Sequence, residues 1–327
     1  MKCINKTRII LLSGMLAAAL FLSGCKKEDE AIVAAYEVEN YNQNLYQGSL
    51  YAENLCVSGE NVSLAEYAED TGVHGAALFD LSNNDVLYAY QMHDKLYPAS
   101  VTKIMTALLA LEHGNLEDSV TISQTAAAAS FPADAQVIGL QQGDTWSLED
   151  LVYALMLYSG NDAATAIAEH IAGSEEAFVE MMNVRAGELM ANNTHFTNPH
   201  GLHNDEHYTT AYDLYLIFNE CIQNETFVNI IETESHDVAY THADGTTASL
   251  TVLPTNLYAK GAVERPANCT IVGGKTGTTG EAGYCLILME RDSQNAPYIS
   301  IVMGASDKPA LYVDMTSLIE AIPGTNP

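Results

Sequence analysis

The chain has 327 residues, of which 48% are apolar and 17% charged, which suits one large folded domain or two small ones. This composition excludes a collagen-like, mucin-like or wholly disordered chain. The 42 Asp and Glu residues outnumber the 13 Lys and Arg residues, so the formal net charge is −29. We therefore expect no nucleic-acid partner, because phosphate binding needs a basic surface. An anionic membrane would also repel this chain, so any membrane attachment must be covalent or hydrophobic.

The first 25 residues have the layout of an export signal. Three basic residues in the first eight positions precede an apolar run over 9–22, which is too short for a comfortable transmembrane span. The sequence Leu-Ser-Gly-Cys at 22–25 resembles the lipobox of bacterial lipoproteins, which are cleaved before the cysteine and lipidated on it. The resemblance implies a signal peptide over residues 1–24 and a lipid on Cys25. A plain secretory signal with a chance cysteine is the alternative.

Residues 25–70 are acidic, rich in Asn, Gln and Tyr, and show no sustained helical or strand period. We interpret them as a tether that joins the lipidated Cys25 to a domain over residues 71–327 and holds that domain clear of the membrane. The domain opens with a predicted hairpin, whose strands are residues 75–81 and 85–90.

Helical patterns follow in the middle of the chain, and apolar strands return near its end. The first predicted helix runs from Ser100 to Gly114. A second begins at the capping box Ser147–Asp150 and ends at a polar break over 159–161, and a third follows that break. Three more helices are predicted over 175–190, 210–222 and 309–322. The predicted strands of a final antiparallel meander are 269–272, 284–289 and 298–303. This order predicts an α+β domain, in which an antiparallel sheet built from both ends packs against a central helical block.

The motif Ser-x-x-Lys at 100–103 opens the first of these helices and places a hydroxyl and an amine on one helical face. Serine is a weak nucleophile until an adjacent base takes its proton, and lysine is such a base only where its pKa is lowered. Ser100 and Lys103 are therefore a candidate nucleophile and base. The motif alone is weak, since a serine at a helix start more often caps the helix.

Two further motifs carry polar side chains where the pattern is otherwise apolar. Ser-Gly-Asn at 159–161 separates two apolar helices, although a simple helical connection would explain it as well. Lys-Thr-Gly-Thr at 275–278 ends an apolar strand, where its lysine and hydroxyls could hold a carboxylate and its glycine lets a ligand backbone approach. A glycine-rich hairpin with a solvated lysine is the alternative. The candidates from these motifs are Ser159, Asn161, Lys275, Thr276, Gly277 and Thr278.

The three motifs occur in the order found in penicillin-binding proteins and class A β-lactamases. The chain resembles the low-molecular-mass penicillin-binding proteins, which are serine D-Ala-D-Ala carboxypeptidases with a β-lactamase-like fold. The likeness runs from about residue 73 to about residue 318. It is carried by Tyr-Pro-Ala-Ser-Val-Thr-Lys at 97–103, Tyr-Ser-Gly-Asn-Asp-Ala-Ala at 158–164, Phe-Thr-Asn-Pro-His-Gly-Leu at 196–202 and Gly-Lys-Thr-Gly-Thr at 274–278.

The resemblance implies a catalytic role for Ser100, Lys103 and Ser159, and it places Lys275 and Gly277 among the substrate-binding residues. Ser100 attacks the carbonyl between two terminal D-alanines and forms an acyl-enzyme, while Lys103 takes its proton. Ser159 relays a proton towards the leaving amine, and Lys275 keeps the site cationic. From the residues alone, a second lysine close to Lys103 would lower the pKa of Lys103 by like-charge repulsion.

The resemblance assigns substrate binding as well. Asn161 hydrogen-bonds the peptide, Thr276 and Thr278 bind the terminal carboxylate, and the backbone N–H groups of Ser100 and Thr278 form an oxyanion hole. Family members often carry an arginine near the start of the last helix that helps bind the carboxylate, whereas the nearest basic residue here is Lys308. Many members also carry a second, β-rich domain and a C-terminal anchoring helix. This sequence ends about fifty residues after the Lys-Thr-Gly motif, so we expect the lipid to replace that anchor.

The sequence therefore predicts a serine D,D-carboxypeptidase that is exported and lipid-anchored on the outer face of the bacterial cytoplasmic membrane. Its substrate would be peptidoglycan stem peptides ending in D-Ala-D-Ala, and β-lactams would acylate Ser100 because they mimic that end. No cofactor or metal is expected. A D,D-endopeptidase stays open because that activity depends on the shape of the cleft, and so does a sensor that is acylated without turnover.

Two other enzyme classes share part of the pattern. A class A β-lactamase needs a Glu-x-x-Leu-Asn stretch to activate its deacylating water, and the corresponding region, 195–202, lacks it. A zinc peptidase is suggested by a cluster of polar residues, but the spacing is not His-Glu-x-x-His and the Pro-His-Gly sequence at 199–201 indicates a loop. The residues of that cluster are His200, His203, Asp205, Glu206 and His207.

Four cysteines follow Cys25, at positions 56, 221, 269 and 285. An exported chain permits disulfides, although the sequence alone does not give their pairing. Cys269 and Cys285 flank a predicted hairpin and could meet across it. Four free thiols are equally compatible with the sequence.

Overall fold

The computed structural model describes residues 54–64 and 72–323. Within these residues the strands are β1 (Gly75–Asp80), β2 (Asp85–Tyr90), β3 (Ser119–Thr121), β4 (Thr145–Ser147), β5 (His236–Thr241), β6 (Thr247–Val252), β7 (Cys269–Thr279), β8 (Gly283–Asp292) and β9 (Pro297–Ala305). The α-helices are α1 (Lys103–His113), α2 (Leu148–Tyr153), α3 (Asn161–Ala172), α4 (Glu175–Glu188), α5 (Ala211–Cys221), α6 (Glu225–Glu232) and α7 (Lys308–Glu320).

The main sheet has five strands in the order β2–β1–β9–β8–β7, and its neighbouring strands are antiparallel. Two of these strands come from the start of the domain and three from its end, with the helical block between them in sequence. The predicted α+β architecture is therefore confirmed. The strand β7 lies at one edge of the sheet and β2 at the other, so the Lys-Thr-Gly motif lies on an edge strand.

The helix α1 is the centre of the helical block, because residues 103–110 of its eleven are all buried. A helix that is apolar on every side must be surrounded by other elements. The predicted helix began at Ser100, but the structure forms a 3₁₀ turn over Ala99–Thr102 before α1. Half of the predicted capping box is present: Ser147 Oγ accepts the N–H of Asp150 at 3.0 Å, whereas the carboxylate of Asp150 lies 2.7 Å from His236 Nε2.

A second sheet of four strands, in the order β3–β4–β5–β6, was not predicted from the sequence. The strands β3 and β4 have three residues each, which is too short to show a period of two. The hairpin of β5 and β6 is half exposed and rich in threonine, so it lacks the apolar run that marked the strands of the main sheet.

Residues 54–64, which we assigned from the sequence to the tether, pack on the domain, and we call them the N-terminal strap. The N–H of the buried Cys56 donates to the Tyr215 hydroxyl at 2.9 Å, and Val62 exchanges two backbone hydrogen bonds of 2.9 Å with Ala89 in β2. The compact unit includes this segment, so the folded domain begins earlier than the sequence predicted.

The signal peptide over 1–24, the lipidated Cys25 and residues 26–53 of the tether lie outside the described residues. Among the helices of the described ranges, none has both the length and the apolar character needed to cross a membrane.

The four cysteines of the described residues are free thiols. In the register of β7 and β8, Cys269 lies opposite Asp292 and Cys285 lies opposite Gly277. The two cysteines are therefore separated by eight residues along the ladder, which corresponds to roughly 26 Å at the usual rise of a strand. The expectation that they could meet across the hairpin is wrong, because Cys285 lies near the turn and Cys269 at the far end.

Candidate active site

A short turn places Ser100 in the wall of a cleft between the helical block and β7. Ala99 has a left-handed φ of 48° and begins the 3₁₀ turn that leads directly into α1. Such a backbone conformation costs a residue other than glycine on the order of 1–3 kcal/mol, which the surrounding contacts must offset. The cleft has a volume of about 390 Å³. Its lining includes Ser100, Ser159, Asn161, Thr276, Gly277, Thr278 and Lys308.

Lys103 lies directly behind Ser100 and is completely buried. Its Nζ lies 3.0 Å from Ser100 Oγ, 2.7 Å from Asn161 Oδ1 and 2.5 Å from the carbonyl oxygen of His200. Burial lowers the pKa of Lys103 well below its ordinary value, and the nearby Lys275 lowers it further, against a smaller opposing effect of Asp162.

A neutral Lys103 can satisfy all three of these contacts. The amide oxygen of Asn161 and the carbonyl oxygen of His200 are both acceptors, so they take the two hydrogens of a neutral amine. The nitrogen lone pair then remains for the hydroxyl hydrogen of Ser100, 3.0 Å away. This is the arrangement that a base needs if it is to remove the proton of a serine.

The polar break at 159–161 is a sharp turn that brings two candidate residues into the cleft. A π-helix over Ala154–Tyr158 extends α2, and Ser159 ends it with a left-handed φ of 70°. The next helix, α3, begins at Asn161. Single π turns inside helices often occur at functional sites, where they redirect side chains.

Lys275 connects the edge strand β7 to this turn. Its side chain is 1% exposed, and its Nζ donates to Ser159 Oγ at 2.9 Å and to the carbonyl oxygen of Thr276 at 2.8 Å. Burial lowers the pKa of Lys275 to about 7. The hydroxyl of Thr276 is in turn 2.6 Å from that of Thr255. Ser100 and Ser159 are thus each bonded to a buried lysine, on two sides of one cleft.

Two glycines let neighbouring segments pack directly against the backbone of the turn that carries Ser100. A Cβ on Gly277 would lie 2.9 Å from the carbonyl oxygen of Pro98, and one on Gly201 would lie 1.9 Å from that of Ala99. Gly201 also has a φ of 86°, which glycine adopts without strain. We expected Gly277 to let a ligand approach; in the structure its nearest neighbours belong to the turn that carries Ser100.

Asp162 is a functional neighbour whose role sequence reasoning missed. Its buried carboxylate accepts the backbone N–H groups of residues 138–140 at 2.9–3.0 Å. These bonds fix the loop over residues 131–140 beside the cleft, and the N–H of Asn161 donates to the carbonyl oxygen of Gln136 at 2.8 Å. The partners of the carboxylate lie 22 to 24 residues away, so its position after the Ser-x-Asn motif was its sole sequence signal.

The histidines of the zinc alternative serve other contacts. His200 and His207 each accept a backbone N–H at Nδ1, and His207 Nε2 lies 2.7 Å from Thr102 Oγ1. Burial lowers the pKa of both rings to about 3, which keeps them neutral. His203 Nε2 instead lies 3.2 Å from an exposed carboxylate, that of Asp205. Across the described ranges, no group of three or more His, Cys, Asp or Glu side chains is placed to hold a metal ion.

The chain matches the peptidase S11 family, described as D-alanyl-D-alanine carboxypeptidase, over residues 63–307. The chain belongs to this family. The match contains all three motifs and most of the folded domain, and it confirms the resemblance that the motifs indicated.

Named relatives agree with this assignment. The D-alanyl-D-alanine carboxypeptidase DacF of Bacillus subtilis is 34% identical over 248 residues, which cover 75% of this chain and 60% of DacF. The D-alanyl-D-alanine carboxypeptidase DacA of Haemophilus influenzae is 30% identical over 273 residues, which cover 81% of this chain and 65% of DacA. The chain thus spans 60% to 65% of the length of these two relatives.

Solved structures show the same fold. The DD-transpeptidase of Streptomyces K15 superimposes with a TM-score of 0.71 at 27% identity, covering 77% of this chain and 97% of that one. Penicillin-binding protein 5 of Haemophilus influenzae superimposes with a TM-score of 0.68 at 30% identity, covering 77% of this chain and 71% of that one. These likenesses confirm the predicted β-lactamase-like architecture.

Proposed function

We propose that this protein is a serine-type D-Ala-D-Ala carboxypeptidase, which removes the terminal D-alanine of peptidoglycan stem peptides and is acylated by β-lactams. The observation that carries the proposal is the contact of 3.0 Å between Ser100 Oγ and the Nζ of a fully buried Lys103. Membership of the D-alanyl-D-alanine carboxypeptidase family supports the same substrate class.

In the proposed first step, Ser100 Oγ bonds to the carbonyl carbon between the two D-alanines, and its proton passes to Lys103. The C–N bond then breaks, and the leaving amine takes a proton through Ser159, which is hydrogen-bonded to Lys275. The backbone N–H groups of Ser100 and Thr278 would stabilise the oxyanion that forms between these steps. The products are an acyl-serine and free D-alanine.

The carboxylate of the substrate would bind on the β7 side of the cleft. Thr276 and Thr278 line this side, and Lys308 lines it from the start of α7. An ammonium acts as a point charge rather than a bidentate fork, so Lys308 would attract the carboxylate with less geometric precision than an arginine. Asn161 would hold the peptide on the opposite side. Water then hydrolyses the acyl-serine, which regenerates Ser100 and releases the shortened peptide.

The proposal is tested by intact mass and by D-alanine release from a D-Ala-D-Ala peptide. We expect one penicillin per wild-type chain and no adduct on Ser100→Ala, which should also release D-alanine at least about 10³-fold more slowly. Ser317→Ala, which removes an exposed hydroxyl on α7, is the matched control and should behave as wild type. Rapid destruction of penicillin without an adduct would indicate a β-lactamase instead, and acylation without D-alanine release would indicate a sensor.

We further propose that the chain is exported and held on the outer face of the cytoplasmic membrane by a lipid on Cys25. The support is the order of a basic start, an apolar run and Leu-Ser-Gly-Cys in the sequence. A fatty-acid label should be incorporated by wild type in a bacterial host and should be lost in Cys25→Ala. Equal labelling of Cys56→Ala and wild type is the control, and label retained in Cys25→Ala would contradict the proposal.

A further inference from the structure

The loop over residues 131–140 forms a rigid side of the cleft. Pro132 accepts the N–H of Ala135 at 2.9 Å, which closes a tight turn around Asp134. Just beyond this turn, the carboxylate of Asp162 accepts the three N–H groups of 138–140. The position of Asp134 is therefore fixed relative to α3 and to the cleft that it lines.

The charges of the cleft are unlike those of the whole chain. Acidic residues outnumber basic ones by 42 to 13 overall, yet Asp134 is the single acidic residue among the described residues that line the cleft. Lys308 provides positive charge in the same lining, and Lys103 and Lys275 lie buried behind it. Within the described ranges Asp134 forms no ion pair.

This distribution matches a ligand that carries both signs of charge. A terminal carboxylate is attracted by Lys308, and an ammonium on the same ligand would be attracted by Asp134. A carboxylate at the mouth of a cleft that binds anions weakens the binding of the anion, so its presence there calls for a compensating contact. A cationic side chain on the substrate supplies that contact.

We propose that Asp134 selects peptides in which the residue before D-Ala-D-Ala carries a free amino group on its side chain. The inference rests on the proposed carboxypeptidase function and assigns a specificity residue to that site. Because Asp134 is exposed, the contact would be partly screened, and its contribution would be that of a moderate ion pair.

The test compares two synthetic peptides that differ in one charge. They are Nα-acetyl-L-lysyl-D-alanyl-D-alanine, with a free ε-amine, and its Nα,Nε-diacetyl analogue. At low ionic strength, wild type should prefer the free amine in kcat/KM by about fivefold, as expected for one exposed ion pair. Asp134→Asn should lose this preference, because reaction of the free-amine peptide slows relative to that of the diacetyl peptide, and Asp134→Lys should reverse it.

A matched control separates this contact from the general charge of the protein. Asp205→Asn removes the same charge from a neighbouring loop, where the side chain is 89% exposed, and should keep the wild-type preference. An equal loss on both peptides in Asp134→Asn would overturn the inference, because it would mean that Asp134 only shapes the loop. An unchanged preference would overturn it as well. If wild type released D-alanine from neither peptide, the proposed function itself would fail, and the inference with it.

Discussion

Replacing Lys103 by arginine is expected to slow the acylation of Ser100 by penicillin about 10³-fold. Arginine stays protonated at every accessible pH, so it has no lone pair for the hydroxyl of Ser100. In wild type the pKa of Lys103 is held well below its ordinary value, mainly by burial and then by Lys275, so its neutral amine is more available than that of an ordinary lysine. The measurement is the rate constant of adduct formation by mass spectrometry.

The pH dependence gives this prediction a second readout. Protonation removes the base, so the acylation rate of wild type should fall as the pH is lowered through the pKa of Lys103. Lys103→Arg should be slow at every pH and should lack this fall. Lys260→Arg makes the same change at an exposed site and should match wild type. Because a guanidinium is larger than an ammonium and this site is fully buried, Lys103→Met should be tested as well, and rapid acylation of either variant would show that Lys103 is not the base.

Replacing Asp162 by alanine is expected to lower the free energy of unfolding by about 3–5 kcal/mol. The change leaves the backbone N–H groups of residues 138–140 without their acceptor, and that of Leu140 is buried. The loop that these groups hold also bonds to Asn161 through Gln136, so acylation of Ser100 should slow in the same variant. Urea denaturation and the penicillin reaction measure the two effects.

Two variants control for the loss of a carboxylate as such. Asp118→Ala removes a carboxylate that is 42% exposed and pairs with His170, so it should lower the free energy of unfolding by less than about 1 kcal/mol. Asp162→Asn keeps one acceptor oxygen, so its free energy of unfolding should lie between those of Asp162→Ala and wild type. This variant preserves the test if Asp162→Ala does not fold. A cost for Asp162→Ala no larger than that for Asp118→Ala would refute the role of the carboxylate.

The elements that the sequence predicted are those with strong apolar patterns. The strands near residues 75–90 and 269–305 and the buried helix after Ser100 each carry enough apolar residues to mark their type. The N-terminal strap lacked such a signal, because it is held by single contacts such as that of Cys56 N–H to the Tyr215 hydroxyl, 159 residues away. The pairing of Val62 with Ala89 is equally invisible in the local sequence.

In the candidate site, too, features with a local sequence signal were predicted and contacts between distant segments were not. The motifs located Ser100, Lys103, Ser159 and Lys275, because residue type and spacing were sufficient to find them. No residue pattern indicated that the carbonyl oxygen of His200 contacts the amine of Lys103, because any residue type supplies a backbone carbonyl. The contacts that fix the loop at 131–140 were hidden for a related reason: they join a side chain to the backbone of a distant segment.

The N-terminal strap lies at the end of the chain that a membrane anchor on Cys25 would pull. It is paired with β2, which is one edge of the main sheet, whereas Ser100 reacts beside β7, which is the other. Four strand spacings, or roughly 19 Å, separate the two edges. Force applied from the N-terminal side would therefore load the contact of Cys56 with Tyr215 first and the hydrogen bonds of Val62 and Ala89 next, and neither contact involves the edge strand beside Ser100.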